Sequence, residues 1–503
     1  MIIVDSSNYI PESYFYDFGR IPDALLPIGN SRLIDIILKR LANKDEKILI
    51  IIPNDFNFYN VSLNNFDISD INFIKKSNLF ELKEYFDNNQ EIKYIHRLAL
   101  PINENFGFEN FKSYSIELPS YGIILKKQFN KNKFKKDLLD IKKFNKFLHQ
   151  LYLFESKNTS KLKTIDLRIS AHYFKARAEL VGLRFFNKLK IKNNEITKKV
   201  EFGSKGSYEA NWYKNTLRYI PNIAPVIISQ AKDKNTYTFE YLPMVSLSEI
   251  YTYGKIDLNY WDKIFETIKI IMKNMNLCAL NLEKKNNLKI SDHQLNYDDV
   301  DLFKFKTIER LSTFSKANKL DYPFSIRLNK KSQISVEDIV FKMLQKLNNI
   351  KNEKIYAHGD FCLSNILYDS RLNVIKLVDP RGHQEENNFQ EIIKSQKYDL
   401  TKLAHSLLGY YDLINVGELK AESYKFEKNC IEINCNYSVD LYHELIYKKA
   451  YSYEFFDGNP LKDYLPSTVL LFLSMLPLHS DNKIKQMTLL GNALRIYKLI
   501  EKL

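Results

Sequence analysis

Between residues 355 and 382 the chain reads IYAHGDFCLSNILYDSRLNVIKLVDPRG, in which His358, Gly359 and Asp360 are followed, five residues beyond the aspartate, by Asn365. After a hairpin-like break at 369–373, an apolar strand at 374–378 delivers Asp379. An aspartate, an asparagine and a second aspartate in this order suit phosphoryl transfer. That reaction asks little covalent chemistry of a protein. It needs magnesium bridging the phosphates, a carboxylate to hold the ion, and a group that orients the attacking hydroxyl and takes its proton. Magnesium prefers oxygen ligands, so Asn365 and Asp379 can hold it while nucleotide phosphates supply others. Asp360, on the same loop, is the natural base. A lone His-Gly-Asp triplet carries little weight, and an aspartate after an apolar strand is often a turn residue. Order and spacing together carry the reading.

The same segment resembles the catalytic and metal-binding loops of the aminoglycoside phosphotransferase and choline kinase family. More narrowly, it is similar to bacterial kinase-like proteins found with surface-polysaccharide genes, which carry H-G-D-x-x-x-S-N-I-L-Y-D and then D-P-R-G. The resemblance implies a protein-kinase-like fold with ATP and Mg2+ as cofactors. It implies Asp360 as catalytic base, His358 as support for its loop, and Asn365 and Asp379 as magnesium ligands. Asp399, in KYDLTKLAHS, becomes a structural carboxylate. Arg381 replaces the aromatic residue usual after the metal aspartate in protein kinases; contact with phosphate and bracing of the loop are both open to it. The resemblance covers roughly residues 165–503.

Such loops need a small lobe to hold the nucleotide against them. From about Leu183, RFFNKLKI and NEITKKVEF read as two strands joined by a turn at 192–194, and YEANWYKNTL as a helix. PVIISQ and TYTFEYL read as further strands, and WDKIFETIKIIMKNM as a long amphipathic helix. Beyond about residue 335 most segments read as helix, apart from 355–382. A small mixed lobe before a larger helical one is the order of an α+β bilobal protein-kinase-like domain. The resemblance asks that small lobe for a lysine on the phosphates and a glutamate to hold it. Lys198 and Lys199 both lie on the expected strand, where adjacent side chains face opposite ways. Lys198 is favoured because it shares a face with Ile196 and because it matches the lysine of the narrower family that the segment resembles. Glu209 fits the partner glutamate, and Glu240 to Leu242 fit a hinge whose backbone meets adenine. The stretch Gly203, Ser204, Lys205 and Gly206 reads either as a turn approaching phosphate or as a surface loop.

Ahead of this, MIIV, SRLIDIILKRL and KILIIIP read as strand, helix and strand, a parallel Rossmann-like α/β unit. Residues 21–34, IPDALLPIGNSRLI, resemble the segment P-K-A-L-L-P-I-G-G-K-P-L-I of sugar-phosphate nucleotidyltransferases. Active members place a glycine-rich turn with an arginine before that segment. Here the interval is VDSSNYIPESYFYDFGR, bulky and with one glycine, and Asp23 replaces the lysine. A carboxylate at that point repels phosphate, so a degenerate domain with a structural or substrate-presenting role is expected.

At 503 residues the chain is long enough for two or three domains: a nucleotidyltransferase-like α/β domain over 1–150, a linker and small lobe over 151–245, and a helical large lobe over 246–503. The net charge is +14, with lysines scattered rather than gathered into tracts. That balance suits a general attraction for nucleotides and phosphorylated metabolites. With no arginine-rich stripe or recognisable nucleic-acid module, no nucleic-acid partner is expected. The four cysteines form neither a C-x-x-C pair nor a disulfide framework, which fits a reducing cytoplasm. The first residues lack the pattern of a signal peptide. The apolar stretch 465–478 carries two prolines and is too short for a bilayer, so a buried helix and no stable membrane insertion are expected. The leading expectation is a cytoplasmic bacterial phosphotransferase acting on a small hydroxyl-bearing acceptor, a sugar or amino alcohol, in surface-polysaccharide synthesis. The alternatives are a nucleotide-binding pseudokinase scaffold, a bifunctional kinase–nucleotidyltransferase, and an antibiotic kinase, which would need an acidic acceptor pocket. The acceptor, the choice of ATP over GTP and the oligomeric state stay open.

Overall fold

The structure, a computed structural model, describes residues 1–43, 46–56, 71–85, 91–102, 120–126, 141–153, 159–180, 187–192, 194–200, 205–233, 235–347, 349–456 and 458–502. The chain forms two compact units: Met1–Gly182 with Tyr253–Ile256, and Leu183–Thr252 with Asp257–Leu503. The first unit runs past the boundary at 150 expected from sequence. It does so because strand Thr159–Leu162 pairs with Gly122–Leu125, and Thr164–Asp166 pairs with Ala99–Pro101.

In the first unit a six-stranded sheet has the order Ile71–Lys75, Ile48–Ile52, Ile2–Asp5, Ile92–His96, Gly122–Leu125, Thr159–Leu162. The first four strands pair in parallel, and the last two pairings, to Gly122–Leu125 and on to Thr159–Leu162, are antiparallel. Ile2–Asp5 and Ile48–Ile52 are buried at every position, as strands covered on both faces must be. Between them helix Leu33–Leu41 turns Leu33, Ile34, Ile37 and Leu38 inward. The interval after the first strand holds a helix, Glu12–Phe18, with Tyr14, Asp17 and Phe18 buried. Asp23 has no exposed surface and faces Arg97 Nε at 3.2 Å. Burial pushes its pKa up to about 7 despite that arginine.

In the second unit an antiparallel sheet runs Asn187–Lys192, Glu195–Val200, Thr236–Glu240, Ile227–Gln230. Side chains on Glu195–Val200 alternate between its faces, which buries Lys198 and Val200 and exposes Lys199. Helix Lys205–Tyr219 lies against this sheet with Trp212, Tyr213 and Thr216 buried. Most of the remainder is helical and gathers around Leu465–Met475, every residue of which is buried. A helix apolar on all sides needs cover on all sides. Lys306–Ala317, Val336–Leu347, Lys397–Leu407 and Lys483–Ile500 supply it. Pro466 sits in its first turn, where a missing N–H costs no helical hydrogen bond. Among the described residues no helix is long and apolar enough to cross a membrane. The four cysteines are free and buried.

Helix Leu258–Lys285 starts at Asp257, whose carboxylate takes the Asn259 N–H at 2.8 Å. It buries Trp261, Phe265, Ile268, Met272 and Met275, and packs against strand Lys354–Tyr356. That strand leads directly into His358. A further sheet sets Ser325–Leu328 parallel to Cys430–Asn434, with Ile334–Ser335 and Ser423–Glu427 outside them; its strands Ser423–Glu427 and Cys430–Asn434 fall where the sequence reads as mostly helical.

Candidate active site

Two loops carry the residues singled out by the sequence, and backbone hydrogen bonds join them. Val378 N–H donates to Asn365 O and Arg381 N–H to His358 O, both at 3.0 Å. Ile366–Asp369 and Val374–Leu377 are the antiparallel arms of one hairpin. Asp369 closes it by accepting the N–H groups of Arg371 and Leu372 at 2.9 and 3.0 Å, an Asx turn. Asn365 precedes the first arm and Asp379 lies just beyond the second, so the hairpin brings both to its open end.

His358 has no exposed surface. Its Nε2 lies 3.0 Å from Val378 O, and its Nδ1 accepts the Asp360 N–H at 3.2 Å. A ring that donates at one nitrogen and accepts at the other is neutral, and burial pulls its pKa down to about 4. Asp399 accepts the N–H groups of His358 and Gly359, each at 2.8 Å. Burial pushes that carboxyl up to about 6 in spite of both bonds. His358 and Asp399 therefore hold the loop from its two sides.

Asn365 Nδ2 donates to Asp360 O at 2.9 Å and to Asp360 Oδ2 at 3.2 Å. Its amide nitrogen is spent, which leaves Oδ1 as the acceptor end. The other Asp360 oxygen, Oδ1, pairs with Lys402 Nζ at 2.8 Å. Burial works to raise the Asp360 pKa, but Lys402 and then Arg381 outweigh it and hold the carboxyl well below its usual range. Lys402 is absent from the sequence-derived set. It lies three residues after Asp399 on helix Lys397–Leu407, hence on the same helix face, and that spacing is the signal that points to it.

The structure separates the two candidate lysines. Lys198 is 3% exposed, with Nζ 2.6 Å from Glu209 Oε2 and 2.8 Å from Asp379 Oδ1. Burial disfavours its charge, but Asp379 and Glu209 outweigh that and hold its pKa above the ordinary value. Burial raises the Glu209 pKa by more than Lys198 lowers it. The Tyr237 hydroxyl also donates to Glu209 Oε2, and Tyr213 OH accepts the Asp379 N–H at 3.1 Å. Asp379 itself has φ 56°, a left-handed conformation uncommon outside glycine.

Helix Lys205–Tyr219, which carries Glu209, is tied to both loops. Asn211 Nδ2 donates to His383 O and Gln384 O at 3.1 and 3.0 Å, and Trp212 Nε1 donates to Ala357 O at 3.0 Å. The close approach needs Gly382, where φ is +69° and a Cβ would lie 2.0 Å from Tyr208 O. Arg381 braces His358 through its backbone, while its guanidinium donates to Tyr398 OH at 2.6 Å and stays exposed. Glu240 and Leu242 lie at the end of strand Thr236–Glu240. There Val226 O accepts the Glu240 N–H at 3.0 Å, and Leu242 O accepts the Met244 N–H at 2.8 Å. Among the described residues no hydrogen bond links either of them to the charged cluster. Gly203 and Ser204 lie outside the described residues, and Gly206 packs against the Asn235 backbone.

Among the described residues no group of three or more His, Cys, Asp or Glu side chains is placed to hold a metal alone. The pair Asn365 and Asp379 still fits magnesium, which is commonly held by one or two protein ligands with substrate phosphates and water completing the shell. Asn365 offers Oδ1. Asp379 has a side chain 59% exposed, with Oδ1 on Lys198, and its second oxygen remains for a cation.

No family model matches the chain, and no curated protein matches it. Among solved structures it is similar to a choline/ethanolamine kinase family protein from Mesorhizobium loti, at 9% identity over 64% of this chain and 86% of that one, with a TM-score of 0.33. It is similar also to an ethanolamine kinase of Plasmodium vivax, at 11% identity over 71% and 94%, with a TM-score of 0.33. A third is the aminoglycoside phosphotransferase APH(4)-Ia in complex with AMP-PNP and hygromycin B, at 11% identity over 64% and 96%, with a TM-score of 0.34.

Proposed function

We propose that the second unit is an ATP- and Mg2+-dependent phosphotransferase acting on a hydroxyl of a small molecule. One observation carries the reading: a single buried ammonium, Lys198, bridges Glu209 and Asp379 at the open end of the hairpin that sets Asn365 against Asp360. A cation for phosphate, oxygen ligands for magnesium and an ionised carboxylate for the acceptor then belong to one hydrogen-bonded assembly.

In this mechanism Asp360 orients the acceptor hydroxyl and takes its proton as the hydroxyl oxygen bonds to the γ-phosphorus of ATP. The bond from that phosphorus to the ADP oxygen breaks, and ADP leaves. Magnesium on Asn365 and Asp379 would neutralise phosphate charge. Lys198 steadies the phosphates, with Glu209 and Tyr237 fixing the ammonium, and the backbone of Glu240 and Leu242 meets adenine. His358 and Asp399 keep the Asp360 loop in place. The setting we propose is surface-polysaccharide synthesis, on the strength of the D-P-R-G resemblance. For the first unit we propose a nucleotidyltransferase-like domain without phosphate-binding activity. Its support is the buried Asp23 carboxylate and the helix Glu12–Phe18 in the interval where a glycine-rich turn would run.

Titrating ATP into the full chain with and without Mg2+ tests the assembly. The expected result is Mg2+-dependent binding that Asp379→Asn weakens at least ten-fold; ATP that fails to bind, or binds without regard to Mg2+, contradicts it.

A further inference from the structure

The large helical part of the second unit opens into a cleft whose walls include Phe303, Lys306, Arg310, Tyr398, Ser474 and Arg381, the last of which packs against Gly359 of the Asp360 loop. The cleft is shallow and opens to solvent, so it can receive one ionised group at its mouth and not a whole nucleotide. Lys306 and Arg310 stand on helix Lys306–Ala317, one turn apart and therefore on the same face. Arg381 comes from the loop of the metal aspartate, and its backbone N–H bonds His358 O at 3.0 Å.

Three cations thus converge on one cleft, and the two arginines spend side-chain hydrogen bonds there on neutral groups. Arg310 donates to Ser474 O at 3.1 Å, and Arg381 to Tyr398 OH at 2.6 Å. None of the three makes an ion pair with a carboxylate among the described residues. The carboxylates nearest Lys306 in sequence, Asp301 and Glu309, are exposed, and their pull on its charge is outweighed by burial and the two arginines. Asp360, on which the charge of Arg381 acts, is already paired with Lys402. Burial, followed by Arg381 and Arg310, lowers the Lys306 pKa; burial likewise lowers that of Arg310, with Arg381 adding to the effect. Like charges held together this way repel, and an anion between them relieves the repulsion. Guanidinium forks also match the paired oxygens of phosphate and carboxylate.

We propose that this cleft binds the anionic group of the acceptor, so that the substrate is a small hydroxyl compound already carrying a phosphate or a carboxylate. The term acceptor rests on the phosphotransferase reading above, whereas the anion site stands on the cleft alone. Arg381 joins the two, because its charge acts on Asp360 while its guanidinium lines the cleft. An acceptor anchored by its anion at Lys306 and Arg310 presents its free hydroxyl toward Asp360. An amino alcohol or an aminoglycoside, both cationic, meets the wrong charge here.

Two measurements on the full chain test this. Calorimetric titration of inorganic phosphate is run in Mg2+ with saturating AMP-PNP, so that nucleotide-phosphate subsites are filled. Wild type is expected to bind phosphate, Lys306→Gln to weaken it, and the pair Lys306→Gln with Arg310→Gln to weaken it at least ten-fold with AMP-PNP affinity unchanged. Absence of phosphate binding, or binding unaltered by Lys306→Gln and by the pair, overturns the proposal. Lys306→Gln alone keeps the test sound if loss of the Arg310 bond to Ser474 harms folding. The second measurement is ADP formation with glucose 1-phosphate, glucuronate, glucose and glucosamine. Preference for the phosphate or for the carboxylate tells which anion the cleft takes, and preference for glucose or glucosamine overturns the proposal. Phosphate binding that the variants abolish, with no acceptor turned over, upholds the anion site and counts against the phosphotransferase reading.

Discussion

Lys402 Nζ lies 2.8 Å from Asp360 Oδ1, and it projects from the same helix as Asp399, whose carboxylate holds the loop on which Asp360 sits. One helix therefore fixes both the position and the charge of the proposed base.

The charge has a pH consequence. Lys402 opposes burial and keeps Asp360 ionised well below the usual carboxylate range. Its contribution to stability is present above the ordinary carboxylate pKa of about 4 and is lost as pH falls through the depressed value. Turnover by the wild type is therefore expected to show no acid limb from Asp360 between about pH 5 and 8. In Lys402→Met burial is left unopposed by that charge, the Asp360 pKa rises, and an acid limb enters this range. A pH–rate profile superimposable on that of the wild type would refute the assignment.

The two lysines of strand Glu195–Val200 separate cleanly. Lys198 is buried between carboxylates and Lys199 is exposed. Lys198→Met is expected to weaken ATP binding at least ten-fold, and Lys199→Met less than two-fold, by equilibrium titration. It should also lower stability, because Glu209 and Asp379 then face each other without their shared cation. Equal effects from the two substitutions would remove Lys198 from the site.

Gly382 is where the helix of Glu209 meets the loop of Asp379. Alanine there has to adopt a left-handed conformation and to displace Tyr208 O, which its Cβ would approach to 2.0 Å. The expected cost is about 2 kcal/mol or more in urea unfolding, together with weaker ATP binding as the bond between Lys198 and Glu209 is disturbed. Unchanged affinity in a folded Gly382→Ala would show that the clamp does not govern the lysine.

His358 gives stability a dependence on pH. In the unfolded chain the ring takes its proton near pH 6.5, whereas in the folded chain it does so only at about 4. Its contribution is full above pH 6.5 and falls as pH drops through that window. Asp399, pushed up to about 6, has the opposite sign between its ordinary range and that value, so the wild-type curve alone mixes the two. The stability gap between wild type and His358→Gln isolates the histidine. It should shrink by about 2 kcal/mol from pH 7 to pH 5, as read by urea unfolding; a gap that stays constant or widens means that the ring is not held neutral.

The parts of the site legible in sequence are those built by short-range geometry. One tight hairpin brings Asp360, Asn365 and Asp379 together, and strand alternation, with the resemblance, favours Lys198. The contacts that sequence reasoning missed are long-range. Tyr213 reaches Asp379 across 166 residues, and Tyr237 reaches Glu209 across 28. A tyrosine on a strand or a helix reads as core until its hydroxyl is seen to have a charged partner. Lys402 was hidden differently, as one more lysine in a lysine-rich chain, although its spacing from Asp399 marks the helix face. The parallel pairing of Ser325–Leu328 with Cys430–Asn434 joins segments too far apart for any local pattern to announce. The reach of the first unit to Gly182 likewise depends on a late edge strand, Thr159–Leu162, returning to Gly122–Leu125.

The central claim is that Asp360 is the base of a phosphotransfer to a hydroxyl. Acceptor-dependent ADP formation in Mg2+, compared between wild type and Asp360→Asn, tests it most directly. The substitution keeps the shape of the side chain and removes its charge. The expected result is a loss of about 10²- to 10⁴-fold in kcat, with ATP affinity changed little and the fold intact by circular dichroism. A folded Asp360→Asn that turns over acceptor at the wild-type rate would contradict the account.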